Sequence, residues 1–107
     1  MRRGEVRPYT FDPPNKRRPV VILTRDAIIP YLNEVTVAEI TSTIRGIGSE
    51  VLLGPEDGMA RQCVINCDHL QTVLKRQLGR VITTLSDEKL AEVGPAVDFA
   101  LDLRLQQ

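Results

Sequence analysis

The chain has 107 residues, enough for one small domain with a hydrophobic core, and we expect residues 1–107 to form that domain. Hydrophobic residues make up 42% and charged residues 26%, as in ordinary folded proteins of aqueous compartments. No apolar run approaches the roughly 20 residues that a membrane-spanning helix needs, and the first residues lack the apolar core of a signal peptide. Composition therefore argues against membrane and secreted proteins and predicts a cytoplasmic one.

The formal net charge is zero, but the charges are unevenly distributed along the chain. Residues 1–25 contain seven Lys or Arg and two acidic residues, whereas residues 86–107 contain five acidic and two basic residues. This asymmetry is typical of a protein with an anion-binding face. Scattered, solvated charge is the alternative interpretation, and composition alone favours it.

Short β-strand patterns dominate up to about residue 84, separated by turn signals. The turns include Asp12-Pro13-Pro14-Asn15 and Gly54-Pro55-Glu56-Asp57-Gly58, and a polar break stands at Asp68-His69. The predicted strands are Glu5–Thr10, Pro19–Thr24, Val35–Ile40, Glu50–Leu53, Cys63–Cys67, Leu70–Leu74 and Gly79–Thr83.

The pattern becomes helical after Leu85. Ser86 is a good N-cap, and acidic residues follow it in the first turn. One apolar stripe at helical spacing is formed by Leu90, Val93, Val97, Ala100 and Leu101. Pro95 interrupts this stripe, so we expect a kink, or two short helices with Pro95 at the first position of the second. The fold class is mostly β (α+β): a small, strongly bent antiparallel sheet or barrel with a C-terminal helix.

The two cysteines, Cys63 and Cys67, are predicted on one face of a strand, about 13 Å apart. That separation is too large for a disulfide, and the spacing is not that of a zinc site. We therefore expect two small buried apolar side chains, with no metal and no redox role.

Few routes to catalysis are open to this sequence. It has a single histidine, His69, and neither a Gly-rich phosphate loop nor a nucleophile-elbow motif. What remains is an arginine before a buried strand, Arg18, and a cluster of hydroxyls that begins at Thr41. Such groups suit a substrate that carries its own nucleophile. RNA is one, because its 2′-hydroxyl attacks the adjacent phosphorus and the protein need only stabilise the added charge.

Seven short motifs, taken in order, resemble those of the MazF/PemK toxins of bacterial toxin–antitoxin pairs. They are Arg3-Gly4-Glu5-Val6; Arg18-Pro19-Val20-Val21-Ile22-Leu23 with Asp26; Ile40-Thr41-Ser42-Thr43-Ile44-Arg45; Cys63-Val64-Ile65-Asn66; Asp68-His69-Leu70-Gln71-Thr72-Val73; Leu78-Gly79-Arg80-Val81; and Leu85-Ser86 with Leu90-Ala91-Glu92-Val93. No single motif is specific for the family, but the seven in this order are, and the resemblance covers nearly the whole chain.

The resemblance implies an SH3-like β-barrel of the MazF/CcdB type, a homodimer, and cleavage of single-stranded RNA without metal or cofactor. It makes Arg18 the catalytic arginine, acting mainly as charge stabiliser, and Thr41 its partner at the scissile phosphate. The RNA-binding residues that it implies are Lys16, Arg17, Ser42, Thr43, Arg45, His69 and Gln71. Because the chain has no tryptophan and few other aromatics, we expect little base stacking.

Two departures from the family pattern concern the RNA site. His69 and Gln71 replace a glutamine and a basic residue, so the second position lacks the usual positive charge. The loop between Asp12 and Lys16 is shorter than the common form. Both changes affect the expected cut-site preference more than the expected reaction.

The resemblance also implies a cognate antitoxin whose acidic segment occupies the basic groove. Leu101, Leu103 and Leu105 exceed what one helix stripe needs, and they fit either the core or a dimer interface. Two other functions remain open at this point. One is a gyrase-poisoning toxin of the CcdB type, and the other is an inactive, antitoxin-binding relative.

Overall fold

The computed structural model describes residues 1–12 and 16–103, and in them six antiparallel strands form one strongly bent sheet. The strands are β1 (Glu5–Thr10), β2 (Arg17–Ile22), β3 (Glu34–Thr41), β4 (Glu50–Leu53), β5 (Cys63–Leu74) and β6 (Thr83–Thr84), followed by helices α1 (Asp87–Ala91) and α2 (Val93–Leu101). The order across the sheet is β4-β5-β3-β2-β1-β6. The predicted fold class is confirmed. The predicted turn at Asp12–Asn15 lies partly outside the described residues.

The two faces of the sheet carry separate hydrophobic clusters, because side chains alternate along each strand. The first core lies under the helices and contains Val6, Val21, Ala38, Ile40, Val51, Leu53, Cys63, Ile65, Cys67, Leu85, Val93 and Ala96. The second core lies on the opposite face and contains Val20, Ile22, Ile29, Val35, Val37 and Val73. Burial of these β-branched residues on both faces makes β2 and β3 the centre of the fold.

The polar break at Asp68-His69 is a bulge within one strand, so the prediction of two separate strands there was wrong. β5 pairs with β3 along its length, but Ala38 lies opposite Leu70 and Glu39 lies opposite Asn66. Cys67, Asp68 and His69 are thus extra residues opposite a single step of β3, which bends the strand locally.

The last predicted strand, Gly79–Thr83, is also corrected, since regular pairing with β1 covers only Thr83 and Thr84. The chain before them still follows β1, because Gly79 N–H donates to the Pro8 carbonyl at 2.9 Å. Proline has no N–H to return that bond, and a regular ladder cannot continue past it. The remaining strand ends agree with prediction to within two residues.

The helical segment divides into two helices, as expected, but not at Pro95. The Ser86 side chain accepts a hydrogen bond from Lys89 N–H at 3.1 Å, which confirms the predicted N-cap. The break falls at Glu92, so Pro95 is the third residue of α2. Proline is tolerated there because N–H groups of the first turn have no intrahelical partner. 

The apolar stripe packs on the first core except at its end. Val93 is buried, and Leu90, Val97 and Ala100 are partly buried against the same cluster. Leu101 was predicted in the stripe, but it is the last residue of α2 and is 47% exposed. Leu103 is 78% exposed, and Leu105 lies outside the described residues.

Both cysteines are free and buried in the first core, as the sequence predicts. Burial raises the pKa of the Cys67 thiol to about 11, and the carboxylate of Asp68 adds to that increase. Burial likewise raises the pKa of Cys63. In the described residues, no helix has the length and apolarity needed to cross a membrane.

Candidate active-site cleft

β2 and β3 separate at one end, and this separation, called the fork below, forms the candidate site. Their ladder ends at the pair Val20–Glu39, although β2 continues back to Arg17 and β3 continues forward to Thr41. Beyond that pair, β2 bonds only to β1 and β3 only to β5. Extending the β2–β3 register by two residues places Arg18 across the fork from Thr41.

Pro19 gives the fork a physical cause. Pro19 lies opposite Pro8 in the β1–β2 ladder, and neither residue has an N–H to offer the other. The pair is therefore one of the non-hydrogen-bonded positions of an antiparallel ladder, at which the backbone groups of Pro19 point towards β3. Because Pro19 has no N–H to donate to β3, the ladder loses its next bond where the cleft opens.

The cleft encloses about 530 Å³ and continues the face of the sheet that carries the second core. Along β2, the buried Ile22 and Val20 are followed on the same face by Arg18, and along β3 Val37 is followed by Glu39 and Thr41. The lining residues are Tyr9, Phe11, Asp12, Arg18, Glu39, Thr41, Thr43, Arg45, Asn66, His69 and Gln71. On this face, the side chains of β2 and β3 thus change from apolar in the core to polar in the cleft.

Six of the nine predicted site residues line this cleft: Arg18, Thr41, Thr43, Arg45, His69 and Gln71. Lys16, Arg17 and Ser42 are exposed and are not among the lining residues. Arg17 precedes Arg18 on β2, so strand alternation directs it to the other face. A role for these three in binding RNA stays a prediction.

Arg18 and Thr41 both have donors to spare for an anion. Arg18 is half-buried at the cleft wall, and the ion pairs of the described residues do not include it. The Thr41 hydroxyl oxygen accepts a hydrogen bond from Thr43 N–H at 3.2 Å. This bond leaves the hydroxyl hydrogen available to a phosphate oxygen in the cleft.

The loop that carries Thr43 and Arg45 is held by Glu50, which sequence reasoning missed. Glu50 accepts hydrogen bonds from Arg45 N–H at 3.1 Å and from Gly46 N–H at 2.9 Å. Gly46 has a φ of +71°, a conformation that favours glycine. The carboxylate therefore fixes the turn after β3 and leaves the Arg45 side chain exposed at the cleft.

Three further polar lining residues were also missed: Asp12, and Glu39 and Asn66, which pair across β3 and β5. Glu39 accepts a hydrogen bond from Gln71 Nε2 at 3.0 Å and lies 3.9 Å from His69 Nδ1. Asn66 is only 6% exposed, and its side-chain oxygen accepts from Asp68 N–H at 3.0 Å. The sequence signal that could have identified Glu39 and Asn66 is a polar residue at a position of each strand where the pattern predicts a buried apolar one.

Two of the chain's four aromatic residues line one wall. Tyr9 and Phe11 meet edge to face, with ring centroids 4.8 Å apart and planes at 75°. Tyr9 pairs with Arg18 across β1 and β2, so the aromatic pair lies beside the arginine. The cleft thus has more capacity to stack a base than the sequence suggested.

Comparison with known proteins gives the family of the chain. Residues 2–101 match the family described as PemK-like, MazF-like toxin of type II toxin-antitoxin system. Endoribonuclease MazF3 of Mycobacterium tuberculosis is 39% identical over 98 residues, which cover 92% of this chain and 95% of that protein.

Solved structures share the fold. The Mycobacterium tuberculosis toxin MazF-mt6 superposes with a TM-score of 0.85 at 37% identity, covering 94% of this chain and 99% of that one. A mycobacterial endoribonuclease, solved in complex with its cognate antitoxin, has a TM-score of 0.84 at 24% identity over 99% of each chain. The resemblance carried by the seven motifs is confirmed, and the chain belongs to the PemK-like, MazF-like toxins of type II toxin–antitoxin systems.

Proposed function

We propose that the protein is the toxin of a type II toxin–antitoxin system and an endoribonuclease that cuts single-stranded RNA without a metal ion. The observation that carries this proposal is the fork, where the half-buried Arg18 and the hydroxyl of Thr41 line one cleft from opposite arms. The 39% identical relative named endoribonuclease MazF3 supports the same activity.

In the proposed reaction the RNA supplies the nucleophile. The 2′-oxygen bonds to the adjacent phosphorus and gives up its proton, while the bond to the 5′-oxygen breaks and that oxygen takes up a proton. The products are a 2′,3′-cyclic phosphate and a 5′-hydroxyl. The Arg18 guanidinium stabilises the charge that builds up on the phosphorane oxygens, and Thr41 donates a hydrogen bond to the same phosphate. 

The rest of the cleft orients the RNA chain. The side chains of Arg45 and Thr43 suit flanking phosphates, and the Tyr9–Phe11 wall suits an unstacked base. His69 is placed to hydrogen-bond or stack at the other wall. Holding the 2′-oxygen in line with the leaving oxygen accounts for much of the rate in such a mechanism.

The protein acts in the cytoplasm, where its RNA substrates are found. Its antitoxin neutralises it with an acidic segment that enters the cleft and covers Arg18. It functions as a homodimer, and the exposed apolar side chains of Phe99, Leu101 and Leu103 are candidates for the contact. The family match to a toxin of toxin–antitoxin pairs supports the antitoxin partner.

The experiment is cleavage of a long single-stranded RNA by purified protein in excess EDTA. Arg18→Ala and Thr41→Ala are assayed beside Arg80→Ala, an exposed arginine outside the cleft. We expect fragments with 5′-hydroxyl ends from the wild type and Arg80→Ala, none from Arg18→Ala, and few from Thr41→Ala. No fragments from folded wild type over many sequences would favour a gyrase poison or an inactive relative.

A further inference from the structure

Glu39 is an unexpected residue in a cleft that receives RNA phosphates. Its side chain is 18% exposed and lines the same cleft as Arg18 and Arg45. A carboxylate there repels the backbone of the substrate and reduces the positive field. It also gains no ion pair with either arginine among the described residues. Glu39 therefore costs binding energy unless it contacts something other than phosphate.

The carboxylate is held in one orientation. One oxygen, Oε2, accepts from Gln71 Nε2 at 3.0 Å and lies 3.9 Å from His69 Nδ1. The other oxygen, Oε1, accepts no hydrogen bond from the described residues. Glu39 lines the cleft, so Oε1 is available there to a donor group of a bound ligand. A fixed carboxylate edge thus faces the space where RNA passes.

The position of this edge relative to the reacting phosphate suits a base. Glu39 lies two residues before Thr41 on the same face of β3, about 7 Å away along the strand. Glu39 therefore lies beside the phosphate position expected at Thr41, on the side where a neighbouring nucleotide would continue. Bases of single-stranded RNA are unstacked and read through their Watson–Crick edges.

We propose that Glu39, oriented by Gln71, recognises a guanine at one position of the RNA cleavage site. This inference rests on the proposed ribonuclease function. Guanine is the one standard RNA base whose Watson–Crick edge carries two adjacent N–H donors, N1–H and the N2 amino group. Those donors match the two oxygens of a carboxylate. In cytosine and adenine a ring-nitrogen lone pair replaces one donor, and in uracil two carbonyl oxygens flank a single N–H.

The same geometry rejects the other bases. A ring nitrogen or carbonyl oxygen facing a carboxylate meets like charge, and a buried acceptor left without a donor is costly. The nearly buried Asn66, opposite Glu39 on β5, has a side-chain amide group that suits the guanine O6. Recognition would then use all three groups of the guanine edge.

The test maps cleavage sites of the wild type, Glu39→Gln and Glu34→Gln on one RNA of mixed sequence. Glu34 is the matched control, since it is an exposed glutamate of β3 outside the cleft. We expect the wild-type and Glu34→Gln sites to share a guanine. Inosine at that position, which lacks the N2 amino group, should slow cleavage roughly tenfold or more. Glu39→Gln should cut sites without that guanine and be insensitive to inosine.

Several outcomes would overturn the proposal. They are wild-type sites with no common guanine, an unchanged site preference in Glu39→Gln, and a uniform rate loss in Glu39→Gln at unchanged sites. The last result would mark a catalytic or structural role. Binding is measured independently with 2′-O-methyl oligouridines that contain one guanine, cytosine or adenine. A guanine preference lost in Glu39→Gln supports recognition even if cleavage fails, and no guanine preference refutes it.

Discussion

Pro8 and Pro19 lie directly opposite each other in the β1–β2 ladder. Each proline lacks the N–H that its strand would otherwise present to the neighbour on its far side. At Pro8 the far neighbour is the segment that leads to β6, and regular pairing there is reduced to two residue pairs. At Pro19 it is β3, and the ladder ends at Val20–Glu39. The proline pair thus shortens both the β1–β6 ladder and the β2–β3 ladder, and the early end of the β2–β3 ladder opens the cleft.

Restoring the missing donor should close the fork. In Pro19→Val a new N–H faces the carbonyl of Ile40, and one more ladder bond would add about 1 kcal/mol to the free energy of unfolding. Arg18 would shift relative to Thr41, and we expect cleavage to fall by about 10²-fold, since misplacement near 1 Å has that cost. Single-turnover cleavage rates and urea denaturation measure the two effects.

Pro8→Val is the control for this change. Its new N–H faces away from the cleft, so cleavage should stay near the wild-type rate. Equal losses in the two variants, or full activity in Pro19→Val, would show that the fork does not depend on the missing bond.

Replacing Arg18 by lysine tests whether charge alone suffices at the phosphate. Lysine keeps the positive charge but lacks the planar fork of donors that contacts two phosphoryl oxygens at once. We expect Arg18→Lys to reduce kcat by roughly 10²-fold or more, with the fold unchanged. Arg80→Lys, at an exposed position outside the cleft, serves as the control. Near-normal kcat in Arg18→Lys would contradict direct stabilisation of the phosphorane.

The buried Cys67 thiol predicts a loss of stability at alkaline pH. Burial raises its pKa from 9.0 to about 11, so the folded protein binds the proton more tightly than the unfolded chain does. The contribution to stability is therefore complete below pH 9 and is lost as the pH rises towards 11. Urea midpoints between pH 8 and 11 should fall less steeply in Cys67→Ala than in the wild type. Parallel curves would count against this assignment.

Substitution by alanine should change the stability of the fold in opposite directions at two glycines. Gly58 has a φ of +91°, and a Cβ there would collide with the Thr83 side chain, whose hydroxyl donates to the Asp57 carbonyl. Gly58→Ala should therefore destabilise the fold by about 1–3 kcal/mol. Gly94 lies in α2 with nothing within 4 Å of an added Cβ, so Gly94→Ala should stabilise it by about 0.4–1 kcal/mol. The unfolding temperatures of both variants test this prediction, and a shift in the same direction for both would contradict it.

Much of the secondary structure and burial of this protein could be predicted from short stretches of its sequence. The β-branched runs predicted the central strands, Ser86 predicted the start of the helices, and the burial of both cysteines followed from their spacing and type. Arg18 and Thr41 were predicted as site residues because each stands where an apolar strand meets a loop, and both line the cleft. These features depend on residues close together in the chain, and such patterns are visible in a sequence.

Only the tertiary structure decided how the site is assembled. Glu39 and Gln71 are 32 positions apart and meet because antiparallel pairing of β3 and β5 places Gln71 opposite Val37, two residues from Glu39 on the same face. The β5 bulge then places Asn66 opposite Glu39. The fork lies at Pro19, whose position opposite Pro8 turns its missing N–H towards β3, and Leu101, the last residue of α2, is exposed. Strand register and helix ends arise from many distant contacts acting together, so no short segment of the sequence encodes them.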